Sequence, residues 1–204
     1  MITCILLAAG SASRFGSQKL LARLPDGRRI VEAAAASLLL ARPGNVIAVT
    51  RRDPELIQVL KASGCEVVIH DHADDGMGTS IAAGVAASAG ASGWVIALGD
   101  MPSIRVDTVM AVVDALRAGT RIAVPVAGGK RGHPVGFSAH YLAQLLALTG
   151  DTGAREILMV DASFIDEIRV EDTGIFADID TMADLKRQTF AQPHLSREGD
   201  STYH

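Results

Sequence analysis

Cysteine is scarce in this chain, and long apolar runs and clusters of one charge are missing. Only Cys4 and Cys65 occur among the 204 residues, both in or beside apolar segments. Two thiols cannot staple a fold, so a reducing, cytoplasmic setting is expected. No apolar stretch approaches the roughly 20 residues of a membrane span, and no charged n-region precedes the first apolar run. The net charge is −4 with 19 basic residues, and these are dispersed, whereas nucleic-acid binders concentrate them on one face. Neither a membrane nor a nucleic acid is an expected partner. There is no internal repeat. Two phosphate-binding signatures are also missing. A P-loop needs four residues between its glycines and Lys-Ser/Thr after them, but five separate Gly10 from Gly16, and Leu20 follows Lys19. Position 12 is alanine, which breaks a dinucleotide G-x-G-x-x-G fingerprint.

What is present is a core-forming composition, 49% hydrophobic, enough for one domain over 1–190 followed by a polar tail over 191–204 that lacks any periodic apolar face. Short runs rich in β-branched residues recur at Ile2–Leu7, Val46–Val49, Val67–Ile69, Trp94–Leu98 and Ile122–Val126. Helix-period segments at 30–41, 55–62, 79–89 and 105–117 lie between them. This alternation predicts an α/β fold, a Rossmann-like three-layer sandwich with a mostly parallel central sheet and ligands beyond the carboxyl ends of its strands. After Val126 the spacing predicts a basic loop at 127–132, a short strand, a helix around 139–148 and a final strand pair leading to Asp180.

The first strand runs into Ala8-Ala9-Gly10-Ser11-Ala12-Ser13-Arg14-Phe15-Gly16-Ser17-Gln18-Lys19. Tiny residues let a ligand approach the backbone and leave its N–H groups free to donate, and Arg14 and Lys19 add the charge a polyphosphate requires. Lys19 acts as a mobile point charge and Arg14 as a fork able to bridge phosphate oxygens. Asp100 follows Val95–Leu98 and a glycine, where a carboxylate at a strand tip can share a hard cation, Mg2+, with phosphate; the alternative is a turn aspartate before Pro102. Asp178 and Asp180 sit on alternate positions of the expected strand around Ile175–Ile179, so both can face the site, or one can cap the following helix. The segment Asp75–Ser80 offers small residues, N–H groups and hydroxyls ahead of a helix, suited to contacting a base, while capping alone would explain Thr79 or Ser80. His133 has no second histidine at metal-ligand spacing, which argues against zinc. Arg155 either meets a phosphate or begins a helix capped by Asp151. No Ser-His-Asp or Cys-His arrangement stands out.

The stretch LAAGSASRFGSQK resembles the LAAG-x-S-x-R-M-G-x-x-K signature of the molybdenum cofactor nucleotidyltransferases, relatives of the sugar-nucleotide pyrophosphorylases, with Phe15 in place of the usual methionine. Gly99–Pro102, Gly132–Phe137, Gly150–Arg155 and Asp178–Thr181 are similar, in order, to motifs of the cytidylyl-transferring branch. The resemblance implies a nucleotide-diphospho-sugar transferase-like fold and CMP transfer from CTP to the phosphate of a molybdopterin. It places the nucleotide on Leu7, Ala8, Ala9, Gly10, Ser11, Arg14, Lys19, Gly78, Ser80 and Asp100. It places the acceptor on His133 and Arg155, and Mg2+ on Asp100 and Asp180, the latter ranked above Asp178. Ala9, where guanylyl-transferring relatives carry glycine, implies cytidine. The same donor loop serves cytidylyl- or guanylyltransferases of methylerythritol phosphate or sugar phosphates. It would also serve a non-catalytic partner that delivers cofactor to a molybdenum hydroxylase, and that hydroxylase or its maturation chaperone is the implied protein partner.

Overall fold

The computed structural model describes residues 1–10 and 18–187. Its frame is one sheet. β1 (Ile2–Ala8) lies between β2 (Asn45–Thr50) and β4 (Gly93–Leu98) and is parallel to both, and β3 (Glu66–Ile69) extends the parallel half beyond β2. On the other side β7 (Val135–Ser138) runs antiparallel to β4 and to β5 (Ile122–Ala127). β5 also pairs with β6 (Lys130–Arg131) and, in parallel, with β8 (Ile165–Arg169). The order β3-β2-β1-β4-β7-β5-β6 makes the chain leave β1 in one direction and return on its other side at β4. A crevice therefore opens at the carboxyl ends of β1 and β4.

Alternation along the strands builds the three layers. Cys4, Leu6, Val46, Ala48, Val95 and Ala97 pack beneath α1 (Ile30–Leu40), α2 (Pro54–Ala62) and α4 (Val106–Arg117). Ile5, Ile47, Val49, Trp94, Ile96 and Phe137 face α3 (Met77–Ala86), α5 (Leu142–Leu146) and α6 (Arg155–Val160). Both cysteines are buried and free; burial pushes the Cys4 thiol up to about 12 and the Cys65 thiol to about 11, so neither is a nucleophile at neutral pH. Among the described residues no helix is long and apolar enough to cross a membrane.

Two expectations change. The helix around 139–148 is a 3-10 turn, Ala139–Tyr141, leading into the short α5. The final strand pair is the single strand β8, because Ile175–Ile179 does not form a strand: Thr173–Phe176 is a 3-10 turn. The cause is Asp172, buried to 4% exposure. Its carboxylate accepts from Gly174 N at 2.9 Å, Arg105 N at 2.9 Å and Thr108 Oγ1 at 2.6 Å. Those bonds fold the chain against the start of α4 instead of letting it continue along the sheet. From there Ile179 N donates to Asp100 O at 3.0 Å, which delivers Asp180 beside Asp100. Ile179 and Leu185 of α7 (Met182–Arg187) bury with Leu24, Ile30 and Ala33 and fasten this segment to the body.

Candidate active site

At the crevice, Gly99 N donates to Leu7 O at 2.9 Å, and a Cβ on Gly99 would fall 2.9 Å from that same oxygen. Only glycine lets the two strand ends close so tightly. The result is a cavity of about 480 Å3 lined by Leu7, Ala8, Gly10, Lys19, Asp100 and Asp180, with Thr50, Arg51, Asp53 and Leu56 on the side of β2. Five of the expected nucleotide-loop and metal residues therefore share one wall with Asp180. Lys19 sits in a 3-10 turn, Lys19–Leu21, which aims it back at the strand ends. Its Nζ lies 2.9 Å from Asp100 Oδ2 and 2.8 Å from Asp180 Oδ1, and the side chain is only 12% exposed. Burial works against the ammonium, but the bonds to Asp180 and Asp100 prevail and its pKa rises. Asp178 joins the cluster: burial, then the charges of Asp180 and Asp100, push its carboxyl above the ordinary range.

The donor set suits a hard divalent cation. Asp100 Oδ1 is buried with no hydrogen-bond partner, an acceptor whose cost is met by a cation or a ligand donor. A single ammonium bridges two carboxylates, which leaves the group net negative. Among the described residues no group of three or more His, Cys, Asp or Glu forms a metal cage. Asp100 and Asp180 would thus leave most of an ion's shell to phosphate oxygens and water, as Mg2+ sites on nucleotides do.

The remaining expected residues divide. Ala9 is buried beside the cavity wall, and its carbonyl accepts from Arg51 Nε at 2.6 Å. Ser11 and Arg14 lie outside the described residues, as do the departure at Phe15 and the tail from 191. Gly78 and Ser80 fall in the first turn of α3 and do not line this cavity. Gly78 N donates to Gly150 O at 2.8 Å, and a Cβ there would fall 2.7 Å from Thr149 O. Gly78 therefore seats the loop that carries Arg155.

A second cavity of about 490 Å3 has Ile81, Ile96, Leu98, Val124, Val135 and Phe137 as an apolar floor and Arg131, His133, Thr152 and Arg155 at its rim. Both expected acceptor residues are here. Arg155 opens α6, which carries no side-chain cap from Asp151. His133 N donates to Ile175 O at 3.0 Å, and its ring Nδ1 is buried without a partner. Burial lowers the imidazole pKa, against the pull of Asp100 and Asp178. Leu7 lines one cavity and its register partner Leu98 the other, which makes them neighbours along the carboxyl edge. Arg51 was missed in the sequence. Its position directly after β2, at the carboxyl end of a parallel strand, is the signal that could have found it.

The chain is 30% identical over 196 residues to nicotine blue oxidoreductase of Paenarthrobacter nicotinovorans, covering 91% of this chain and 95% of that one. It is 32% identical over 190 residues to purine catabolism protein PucB of Bacillus subtilis, covering 87% and 90%. It is 28% identical over 186 residues to molybdenum cofactor cytidylyltransferase of Escherichia coli, covering 90% and 93%. Among solved structures it superposes on Rv0371c of Mycobacterium tuberculosis with a TM-score of 0.79, 27% identity and coverage of 91% and 95%. The same protein in complex with manganese gives 0.75, 27% identity and coverage of 91% and 96%. The MobA-like NTP transferase domain matches residues 4–166, and the chain belongs to that family of nucleotidyltransferases.

Proposed function

We propose that this protein transfers CMP from CTP to the terminal phosphate of molybdopterin. The carrying observation is Lys19 held between Asp100 and Asp180 at the mouth of one cavity, next to a second that is apolar below and cationic at its rim. An acceptor phosphate oxygen forms a bond to the α-phosphorus of CTP. The bond from that phosphorus to the bridging oxygen breaks, and its electron pair leaves with pyrophosphate. A phosphate nucleophile is already ionised near neutral pH, so no general base is required and the work is positioning and charge stabilisation. Asp100 and Asp180 would hold Mg2+, which supplies positive charge to the phosphate oxygens. Lys19 neutralises charge developing on the departing group. His133 and Arg155 orient the acceptor, whose flat ring system lies on the apolar floor of Val124, Val135 and Phe137. Arg14 belongs to the same proposal as a second phosphate ligand.

A second reading is a delivery partner that binds nucleotide without turnover and docks on a molybdenum hydroxylase or its maturation chaperone. The feature favouring such a contact is Met159 and Val160, 69% and 82% exposed on α6 beside Arg155. The two readings separate when purified protein, Mg2+ and molybdopterin are incubated with each nucleoside triphosphate and pyrophosphate is measured. Release with CTP alone supports the transferase. CTP binding without release favours delivery, and release with methylerythritol phosphate or a hexose phosphate reassigns the acceptor. In the transferase, Asp100→Asn lowers turnover about a hundredfold or more with the fold retained. Undiminished activity removes the metal assignment.

A further inference from the structure

Arg51 is placed by two bonds from its guanidinium, to partners on two different segments. Nε donates to Ala9 O at 2.6 Å and Nη2 to Asp74 Oδ1 at 2.7 Å. The first bond fixes the Ala9–Gly10 peptide, because the planar group moves as one unit. The second reaches the turn Ala73–Asp75 that leads into α3. Asp74 is 77% exposed and its carboxyl is held below the usual range by Arg51. The side chain that makes both bonds also lines the first cavity.

The cavity has two chemically different ends. Lys19, Asp100 and Asp180 gather at the tip of β4, where cations and a metal suit polyphosphate. Thr50 ends β2 and Arg51 and Leu56 come after it, on the far side of β1 in the sheet, about 10 Å away at two strand spacings. A nucleotide with its phosphates at the first end therefore brings its nucleoside to the second. Arginine carries five N–H donors and no acceptor. The donors left over from the Ala9 and Asp74 bonds suit a base edge made of acceptors and oppose one bearing an N–H. Cytosine presents acceptors at O2 and N3, whereas uracil of the same size carries a hydrogen on N3.

We propose that Arg51 is a specificity-determining residue that reads the pyrimidine edge and accepts cytosine over uracil, held in register by Ala9 and Asp74. This rests on the reading of the first cavity as a nucleotide site. The test is equilibrium binding of CTP and UTP, with Mg2+ and without acceptor, to the wild type, Arg51→Ala and Asp74→Asn. The wild type is expected to favour CTP by roughly tenfold or more, the value of one charge-assisted hydrogen bond exchanged for a repulsive contact. Arg51→Ala brings the CTP-to-UTP ratio to within about twofold. Asp74→Asn, an exposed change that leaves the core untouched, moves it in the same direction by a smaller factor. A wild type that binds both equally overturns the proposal. So does an Arg51→Ala protein that loses affinity for both in equal measure, since that marks a purely structural clamp. Pyrophosphate release is measured separately: a wild type that discriminates in binding yet never releases pyrophosphate sinks the transferase reading and leaves the Arg51 assignment standing.

Discussion

Lys19 Nζ and Asp100 Oδ2 stand 2.9 Å apart although 81 residues separate them in the chain, and the same ammonium reaches Asp180 at 2.8 Å. Lysine thus occupies the space between the carboxylates that a divalent ion would share with phosphate. Removing it has opposite effects on binding and catalysis. Lys19→Ala is expected to bind Mn2+ about tenfold more tightly in the absence of nucleotide, because no cation competes for the two carboxylates. Turnover falls about a hundredfold for want of the phosphate-neutralising charge. Titration followed by Mn2+ electron paramagnetic resonance reads the first effect and pyrophosphate release the second. Weaker Mn2+ binding in the variant would place the ion elsewhere.

Asp172 is expected to be the costliest single carboxylate to remove. Asp172→Ala leaves Arg105 N, Thr108 Oγ1 and Gly174 N without their acceptor in a buried setting. The loss is about 3 to 5 kcal/mol, read by urea unfolding. The Thr173–Phe176 turn sets the path to Asp180, so the folded fraction should also bind Mn2+ more weakly than wild type. Asp172→Asn keeps one acceptor oxygen and is expected to lose less.

Much of the frame was legible because it depends on local pattern. Alternation of Cys4, Ile5 and Leu6 between two cores, and Asp100 after an apolar run, follow from period two and from the rule that ligands gather beyond parallel strand ends. What could not be read depends on pairs distant in sequence. The Thr173–Phe176 turn exists because Asp172 bonds the start of α4, 67 residues earlier, so the apolar run Ile175–Ile179 imitates a strand. Arg51 looks like a solvated loop cation until Ala9 O and Asp74 converge on it. Gly78 lies in a small-residue stretch suited to contacting a base, yet its N–H is taken by Gly150 O.

Gly78 gives the next contrast. A methyl group there would press on the Thr149 backbone, which cannot yield as a flexible side chain does, so Gly78→Ala must shift the 149–155 loop at about 1 to 3 kcal/mol. Arg155 moves with that loop. KM for the acceptor is expected to rise roughly tenfold, while the CTP dissociation constant changes less than about twofold. The reverse split, with CTP affinity lost and the acceptor KM kept, would return Gly78 to the nucleotide.

His133 makes stability depend on pH with a defined sign. Burial holds the folded-state imidazole pKa below its ordinary 6.5, with Asp100 and Asp178 opposing. Below 6.5 the unfolded chain therefore binds a proton that the folded chain refuses, and stability falls as pH drops toward the folded-state value. The slope approaches about 1.4 kcal/mol per pH unit at most, the limit for one proton. His133→Gln removes the titration. Urea midpoints of wild type and variant should run parallel above pH 7 and separate below 6.5, with the wild type losing more. Divergence in the other direction would mean that the carboxylates, and not burial, set the charge of His133.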